Sequence, residues 1–401
     1  MRLAFVTSHP IQYQAPLFRA LAGAVELRVF FGWDGARDDA FDDARGFGRT
    51  TAWDVPLTAG YPHELLPNWA LRPGTHRRLG VLSPGVGPAL ARFAPDVTLV
   101  HGWAHAYEWL ALGASRALGV PTLVRGENTE LSSTSIPKRF TQLAISGALR
   151  SLCDGMVTIG SRNRAYYLRL GVPEERLHFA PYAVDNAFFA SRAAEAEVAA
   201  ESWRAALGIG ADEVVFGFAG KLAAHKGVAD LLRGFARAGL PRAHLVIVGD
   251  GAERPALEAQ ARAAGLRGVH FVGFVNQQRM PEAYALCDVV ALPSRFEPWG
   301  LVVNEALAMG RPVLVSDRVG SAPDLVAPSH GWVHPAGSVE AIAAALSAAA
   351  ALPRPALRAM GAAGARHVAG WDIPASAAAI VRAAEAVYRV SAARRRPRSR
   401  A

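Results

Sequence analysis

The segment P-S-R-F-E-P-W-G-L-V-V-N-E-A-L-A-M-G-R-P-V, Pro293 to Val313, carries two carboxylates, Glu297 and Glu305, eight positions apart. Its pattern reads as strand, loop, helix and strand in tight order, with Glu297 in the loop and Glu305 in the helix. The helix is predicted to start around Gly300 and Leu301, directly after Trp299. There its free backbone N–H groups and positive dipole end suit an anion such as a diphosphate. Gly310 is placed to stop the helix in the left-handed region before Pro312. A carboxylate on the first turn of such a helix can accept hydrogen bonds from the two hydroxyls of a ribose, as an acidic residue does in dinucleotide folds. Glu305 is the residue for that task. Glu297 can orient sugar hydroxyls or stabilise positive charge growing at an anomeric carbon. Taken without their placement, two such glutamates read rather as members of surface ion pairs with basic residues.

A second segment, F-G-F-A-G-K-L-A-A-H-K-G, Phe216 to Gly227, reads as a strand followed by a turn with Gly220, Lys221 and Lys226, then a helix. Two ammonium groups beside free backbone N–H groups make an anion site. When a diphosphate leaves a sugar its charge rises, so fixed cations stabilise the transition state more than the ground state and can replace a metal ion. Lysines in loops are otherwise ordinarily solvated. V-I-V-G-D-G, Val246 to Gly251, ends a strand at a turn where Gly249 permits close approach of a nucleotide. V-G-F-V, Val272 to Val275, puts Phe274 and Val275 at another strand end, where backbone contacts to a base and a plain core strand are both open readings.

These residues need a scaffold, and the apolar runs supply one. Leu3 to Thr7, Val25 to Phe31, Val97 to Val100, Pro121 to Val124 and Met156 to Ile159 read as strands separated by helical patterns. A second series begins with Val214 to Phe218, Leu245 to Val248, Val269 to Val272, Val289 to Leu292 and Val313 to Val315. Strands alternating with helices imply parallel sheets, and 401 residues suit two domains. The boundary is expected at residues 186 to 208, where composition turns Ala/Glu-rich. The expected layout is 1–190 and 205–372 for the domains, 373–392 for a final helix and 393–401 for a basic disordered tail. Val228, Leu231, Leu232 and Phe235 follow helical spacing just after Gly227. Ala375 to Val390 reads as the final helix, with Pro374 in its first turn.

Composition narrows the class. The chain is 51% hydrophobic and 19% charged, without an apolar run long enough for a bilayer span. Its N-terminus shows no signal-peptide regions in series. Cys153 and Cys287 form no metal-like or redox pair. The expectation is a cytoplasmic protein without a bound metal or cofactor. The net charge of +9 includes five arginines between Arg394 and Arg400. A solvated end and a peripheral contact with anionic membrane at the inner face of the plasma membrane are both open for that tail. Nucleic acid is disfavoured, since no aromatic residues interleave with the arginines.

Distributed along the C-terminal half, G-K-L with K-G, V-G-D-G, V-G-F-V, the Pro-Ser before Glu297, the two glutamates, and S-D-R-V-G near Gly320 resemble the family-4 glycosyltransferases, a retaining group with the GT-B fold. The resemblance extends to G-V-P-E-E-R-L, Gly171 to Leu177, and P-Y-A-V-D, Pro181 to Asp185. It implies an α/β architecture of two Rossmann-like doubly wound domains facing a central cleft, with a C-terminal helix crossing back to the first. It also implies Lys221 and Lys226 on the donor diphosphate, Glu297 on the donor sugar, Glu305 on the ribose, and an acceptor held by the N-terminal domain. The chain departs from the pattern in Lys221, where the family mostly has Arg, and in Tyr182-Ala183, where Asn-Gly is common. It departs again in S-H-P-I-Q-Y-Q-A-P, Ser8 to Pro16, which replaces a Gly-rich loop.

In that last segment His9 and Gln12, together with His101 and Glu127 after later strands, stand at carboxyl strand ends, where open α/β sheets bind ligands. His101 is assigned to catalysis and the other three to the acceptor side. A lone histidine is as often structural. The activity these readings define is transfer, with retention, of a sugar from a UDP- or GDP-sugar to an acceptor sugar, lipid-linked glycan or small molecule. A nucleotide-sugar 2-epimerase and a non-catalytic nucleotide-sugar-binding protein share the same features. An NAD-dependent oxidoreductase lacks its G-x-G-x-x-G here. Residues 34 to 61 carry no readable specificity code.

Overall fold

Runs such as L-A-F-V at Leu3–Val6 and V-V-F-G-F at Val214–Phe218 have no polar alternation, so both faces of such strands must be covered by helices. The computed structural model of the chain describes residues 1–34, 40–43, 49–131 and 145–395, and it shows this arrangement twice. One unit comprises Met1–Ala40, Pro56–Tyr182 and Ile373–Ala401; the other comprises Phe41–Val55 and Ala183–Asp372.

The first unit holds a seven-stranded sheet in the order His63–Leu65, Glu26–Phe31, Arg2–Thr7, Val97–His101, Thr122–Arg125, Gly155–Thr158, Leu177–Phe179. All neighbours pair parallel. Helix Ala106–Ala117 covers one face through Tyr107, Ala111 and Leu112. The C-terminal helix Ile373–Arg395 packs on helix Ala15–Ala24 and on four of the strands. Its buried residues Ile373, Ala377, Ile380, Ala384 and Val387 recur at helical spacing, which gives it one continuous apolar stripe.

The second unit holds a six-stranded sheet in the order Val269–Gly273, Ala243–Val248, Val214–Ala219, Val289–Leu292, Val313–Ser316, Gly331–His334, again parallel throughout. Helix Val228–Ala238 lies against helix Val339–Ala350, with Val228, Leu231, Leu232 and Phe235 buried as their spacing predicts. Both cysteines are buried, and burial pushes each thiol up to about 12.

Several expectations are corrected. Residues 186 to 208, where the boundary is expected, form helix Asn186–Ala206, which is grouped with the second unit. The Asp185 carboxylate caps it, accepting from the Phe188 N–H at 3.0 Å. Ala and Glu are strong helix formers, in keeping with the composition of that stretch. The final helix runs two residues earlier and five later than expected, so Arg394 and Arg395 are helical; the rest of the expected tail, 396–401, lies outside the described residues. Short strands His63–Leu65, Leu177–Phe179 and Gly331–His334 were not anticipated, since three or four residues leave little periodicity to read.

Because Ile380 is fully buried in the stripe of the C-terminal helix, Ile380→Ala should cost about 2–5 kcal/mol of stability. A lowered urea midpoint with native far-ultraviolet circular dichroism is the expected result; an unchanged midpoint would contradict the packing described.

Candidate functional site

Numbered along the chain, the second sheet runs 3-2-1-4-5-6, the order of dinucleotide-binding sheets. The crossovers diverge between strands 1 and 4, so the carboxyl ends of Val214–Ala219 and Val289–Leu292 stand side by side with no helix over them. The loops that leave those two ends carry Gly220–Gly227 and Pro293–Gly300. Topology alone therefore brings together the two segments singled out by their residue types.

Backbone contacts fix the loops. Gly220 donates its N–H to the Val248 carbonyl at 3.0 Å and Leu222 to the Asp250 carbonyl at 2.9 Å, locking the first loop onto the Gly249–Gly251 turn. A Cβ at Gly249 would stand 1.9 Å from the Gly220 carbonyl oxygen, and its φ of +135° is closed to most side chains, so only glycine fits. Across the switch point Arg295 N–H donates to the His225 carbonyl at 2.8 Å. Arg295 also forks onto the buried Asp230 at 2.8 and 3.0 Å, tying the second loop to helix Val228–Ala238. On its other side the loop pairs with 318–321: Glu297 N–H meets the Arg318 carbonyl at 3.1 Å, and Gly320 N–H the Glu297 carbonyl at 2.9 Å.

Within this frame the Lys226 ammonium contacts the Glu297 carboxylate, and Ser294 Oγ lies 3.4 Å from the same oxygen. Both partners of the pair are largely buried. His225 registers the local charge: burial lowers its pKa first, the Lys226 and Lys221 charges add to that, and Glu297 opposes them. Lys221, Lys226 and Glu297 thus share one electrostatic neighbourhood. Gly300 has φ +90° and opens helix Leu301–Ala308, with buried Trp299 hydrogen-bonded to Asn304 Oδ1 at 2.9 Å and stacked on Trp371. Gly310 ends the turn at φ +65°, as anticipated.

Glu305 sits in the second turn of that helix rather than the first, and it is only slightly exposed. Burial pushes its carboxyl up to about 7, against hydrogen bonds from Tyr284 and Gln277 that favour the anion. The Tyr284 hydroxyl donates to Glu305 Oε2 at 2.5 Å. Phe274 and Val275 follow the end of strand Val269–Gly273 and are half-buried. Trp53, from the Phe41–Val55 segment, meets the Phe274 ring edge-on at 6.2 Å. Its neighbour Asp54 accepts from the Gln278 N–H at 3.1 Å.

In the first unit the same order, 3-2-1-4-5-6-7, places the switch between Arg2–Thr7 and Val97–His101. His9 and His101 flank it. His101 Nε2 lies 3.5 Å from Glu127 Oε1, which also accepts from the Tyr13 hydroxyl at 3.3 Å and from the Tyr182 hydroxyl. Buried Arg125 lies under the Tyr182 ring at 4.9 Å. Burial opposes ionisation of Glu127, but His101, Tyr182 and Arg125 outweigh it and hold the carboxyl below its usual range. Burial, then the His105 and His101 charges, press His9 down to about 4. Gln12 is half-buried in the turn after His9.

Sequence reasoning missed Tyr13, Arg125, Tyr182, His225, Tyr284 and Gln277. Single aromatic or amide residues give no pattern, although Tyr13, Tyr182 and His225 all lay inside quoted segments. Among the described residues no three His, Cys, Asp or Glu side chains are grouped as a metal ion would need.

Two doubly wound parallel sheets of this order, with the last helix returned to the first unit, form the GT-B glycosyltransferase fold. Anabaena HepE, solved in complex with UDP and glucose, has that fold with a TM-score of 0.70 and 19% identity over 98% of this chain and 99% of its own. Residues 199–367 match the family described as glycosyl transferases group 1. An uncharacterized glycosyltransferase of Methanocaldococcus jannaschii is 38% identical over 33% of this chain and 35% of its own length. The GDP-mannose-dependent alpha-mannosyltransferase of Mycobacterium tuberculosis is 30% identical over 66% and 65%. The chain thus spans about a third to two thirds of the length of these curated relatives.

The Glu305 environment predicts a pH dependence. Its folded pKa lies above the value near 4.5 in the unfolded chain, so between about 4.5 and 7 the folded state binds the extra proton and stability falls as pH rises. Above 7 the buried charge costs on the order of 1–3 kcal/mol. Glu305→Gln should therefore raise the melting temperature at pH 8 and leave it nearly unchanged at pH 4.5. Equal shifts at both pH values would show that Glu305 is not held in this way.

Proposed function

We propose that the chain is a retaining, metal-independent glycosyltransferase that moves a sugar from a UDP- or GDP-sugar to an acceptor hydroxyl in the cytoplasm. The observation that carries this reading is the contact of Lys226 with Glu297 at the switch point of the second sheet, beside Lys221 and the helix that starts at Gly300. The GDP-mannose dependence of the mycobacterial mannosyltransferase and the UDP bound to HepE favour a nucleoside diphosphate.

In this scheme Lys221, Lys226 and the first backbone N–H groups of helix Leu301–Ala308 hold the diphosphate. As the bond from the anomeric carbon to the phosphate oxygen breaks, the charge they face increases, so their attraction is greatest at the transition state. The acceptor oxygen attacks the same face, and its proton passes to the departing phosphate oxygen. Glu297 orients the sugar and offsets the positive charge on its ring. Glu305, with Gln277 and Tyr284 behind it, accepts from the ribose hydroxyls; Phe274 and Val275 border the base. On the acceptor side Glu127 is held below the usual carboxylate range by His101, Tyr182 and Arg125, which suits it to accept from a hydroxyl-rich acceptor. His9 and Gln12 border that edge. Buried Thr7 Oγ1, His101 Nδ1 and both Gln14 amide atoms have no hydrogen-bond partner among the described residues, so polar capacity remains there for a ligand. The acceptor is a sugar, a lipid-linked glycan or a small molecule.

Thermal-shift screening against UDP-, GDP- and ADP-sugars identifies the donor, since a ligand of the folded state raises its melting temperature. With that donor, Lys226→Ala and Glu297→Ala should each lower turnover by about 10²–10³-fold while remaining folded. Proton NMR of the product should show the anomeric configuration of the donor. Turnover like the wild type in either variant, or an inverted product, would refute the assignment. Glu127→Gln should raise the acceptor KM and leave donor affinity unchanged; an altered donor affinity with an unmoved acceptor KM would place Glu127 elsewhere.

A further inference from the structure

The segment from Leu65 to Leu79 exposes four large apolar side chains: Leu65 at 43%, Trp69 at 68%, Leu71 at 102% and Leu79 at 66%. No other segment of that length among the described residues exposes more than two. The same stretch exposes Arg72, His76, Arg77 and Arg78, and no Asp or Glu occurs from Leu65 to Pro95.

The loop that presents them is tied down. Asn68 Nδ2 donates to the Gly80 carbonyl at 2.9 Å, and its Oδ1 accepts from Ala70 N–H at 3.1 Å and Leu82 N–H at 2.9 Å. Trp69 N–H meets the Leu82 carbonyl at 2.8 Å, and Gly74 N–H the Gly80 carbonyl at 3.1 Å. The loop is also anchored at the carboxyl edge of the first sheet, where His105 Nε2 lies 3.1 Å from the Thr75 carbonyl and Ala106 N–H donates to the Arg78 carbonyl at 2.8 Å. A fixed backbone therefore holds an indole and leucines in water, at a cost that a folded chain ordinarily avoids.

The pairing of residue types selects the partner. Tryptophan and leucine partition into the boundary between headgroups and acyl chains, while arginines with apolar stems keep their charge at phosphate level. A patch with three arginines and no carboxylate complements an anionic surface of phosphates. We propose that residues 67–80 dock the chain on an anionic lipid bilayer, with Trp69, Leu71 and Leu79 entering the interface and Arg72, Arg77 and Arg78 on the headgroup phosphates. The loop is hydrogen-bonded to the helix start that follows His101. Docking there therefore brings the Glu127 edge close to the membrane, and under the proposed function it favours a lipid-linked acceptor.

The test is co-sedimentation of the full chain with vesicles of phosphatidylglycerol and phosphatidylcholine, and with vesicles of phosphatidylcholine alone, which needs no activity and so stands apart from the test of the proposed function. The expected result is binding to the anionic vesicles only, weakened by salt. The triple substitution Trp69→Ser, Leu71→Ser, Leu79→Ser should lower partitioning about tenfold with an unchanged melting temperature, and Arg72→Gln with Arg77→Gln and Arg78→Gln should do the same. Replacing the five arginines between Arg394 and Arg400 by glutamine should preserve loop-dependent binding. The proposal is overturned if the wild type stays in the supernatant, if the loop variants bind as it does, or if a second protein copy rather than lipid covers the patch, seen as a dimer that the triple substitution dissolves. Loss of all binding on neutralising the C-terminal arginines alone overturns it too.

Discussion

A parallel sheet whose crossovers run outward in both directions must leave two adjacent carboxyl ends uncovered, and the chemistry of this chain depends on that constraint. Each unit contains one such gap. In the second unit the gap gathers cations and a carboxylate, in the first histidines, tyrosines and a carboxylate. Neither grouping needs residues that are neighbours in sequence: Lys226 and Glu297 are 71 positions apart, and Tyr182 and Glu127 are 55. The strand order substitutes for proximity along the chain.

What fills the gap in the second unit is held by backbone rather than by side chains. The Gly249 and Gly227 turns abut the carbonyl groups of Gly220 and Pro293 with no room for a Cβ at either. Lys226 and Glu297 thus project from rigid turns and meet at a largely buried position. Removing one partner of such a pair leaves a charge in poor solvent, so the arrangement is more a device for fixing position than a source of stability. Glu305 follows a different logic. A phenol and an amide hydrogen-bond to it, and burial outweighs them and pushes its carboxyl upward.

The sheets were legible because their central strands are unbroken apolar runs between glycine-rich turns, and ten such runs matched strands to within two residues. Helix Val228–Ala238 and the start and stop of Leu301–Ala308 followed from spacing and two glycines. The short outer strands left no periodicity, and the Ala/Glu stretch after Asp185 gave one composition for two structures. At the site, lysines and glutamates could be singled out because turns of defined type flank them. The residues that orient them could not: Tyr284, Gln277 and Asp230 reach their partners only through tertiary packing. Trp53 and Asp54 were the least legible, since they come from the N-terminal half yet contact Phe274 and Gln278.

The return of helix Ile373–Arg395 to the first unit has a bearing on synthesis. The face made by helix Ala15–Ala24 and strands Val97–His101 to Leu177–Phe179 emerges from the ribosome without the element that covers it, and nearly two hundred residues of the second unit follow before that element is translated. During this interval the second unit can reach its own native packing, whereas the first cannot. Maturation of the older half of the chain is therefore timed by the youngest, and a ribosome stalled anywhere in the second unit would leave an apolar surface of the first open to chaperones.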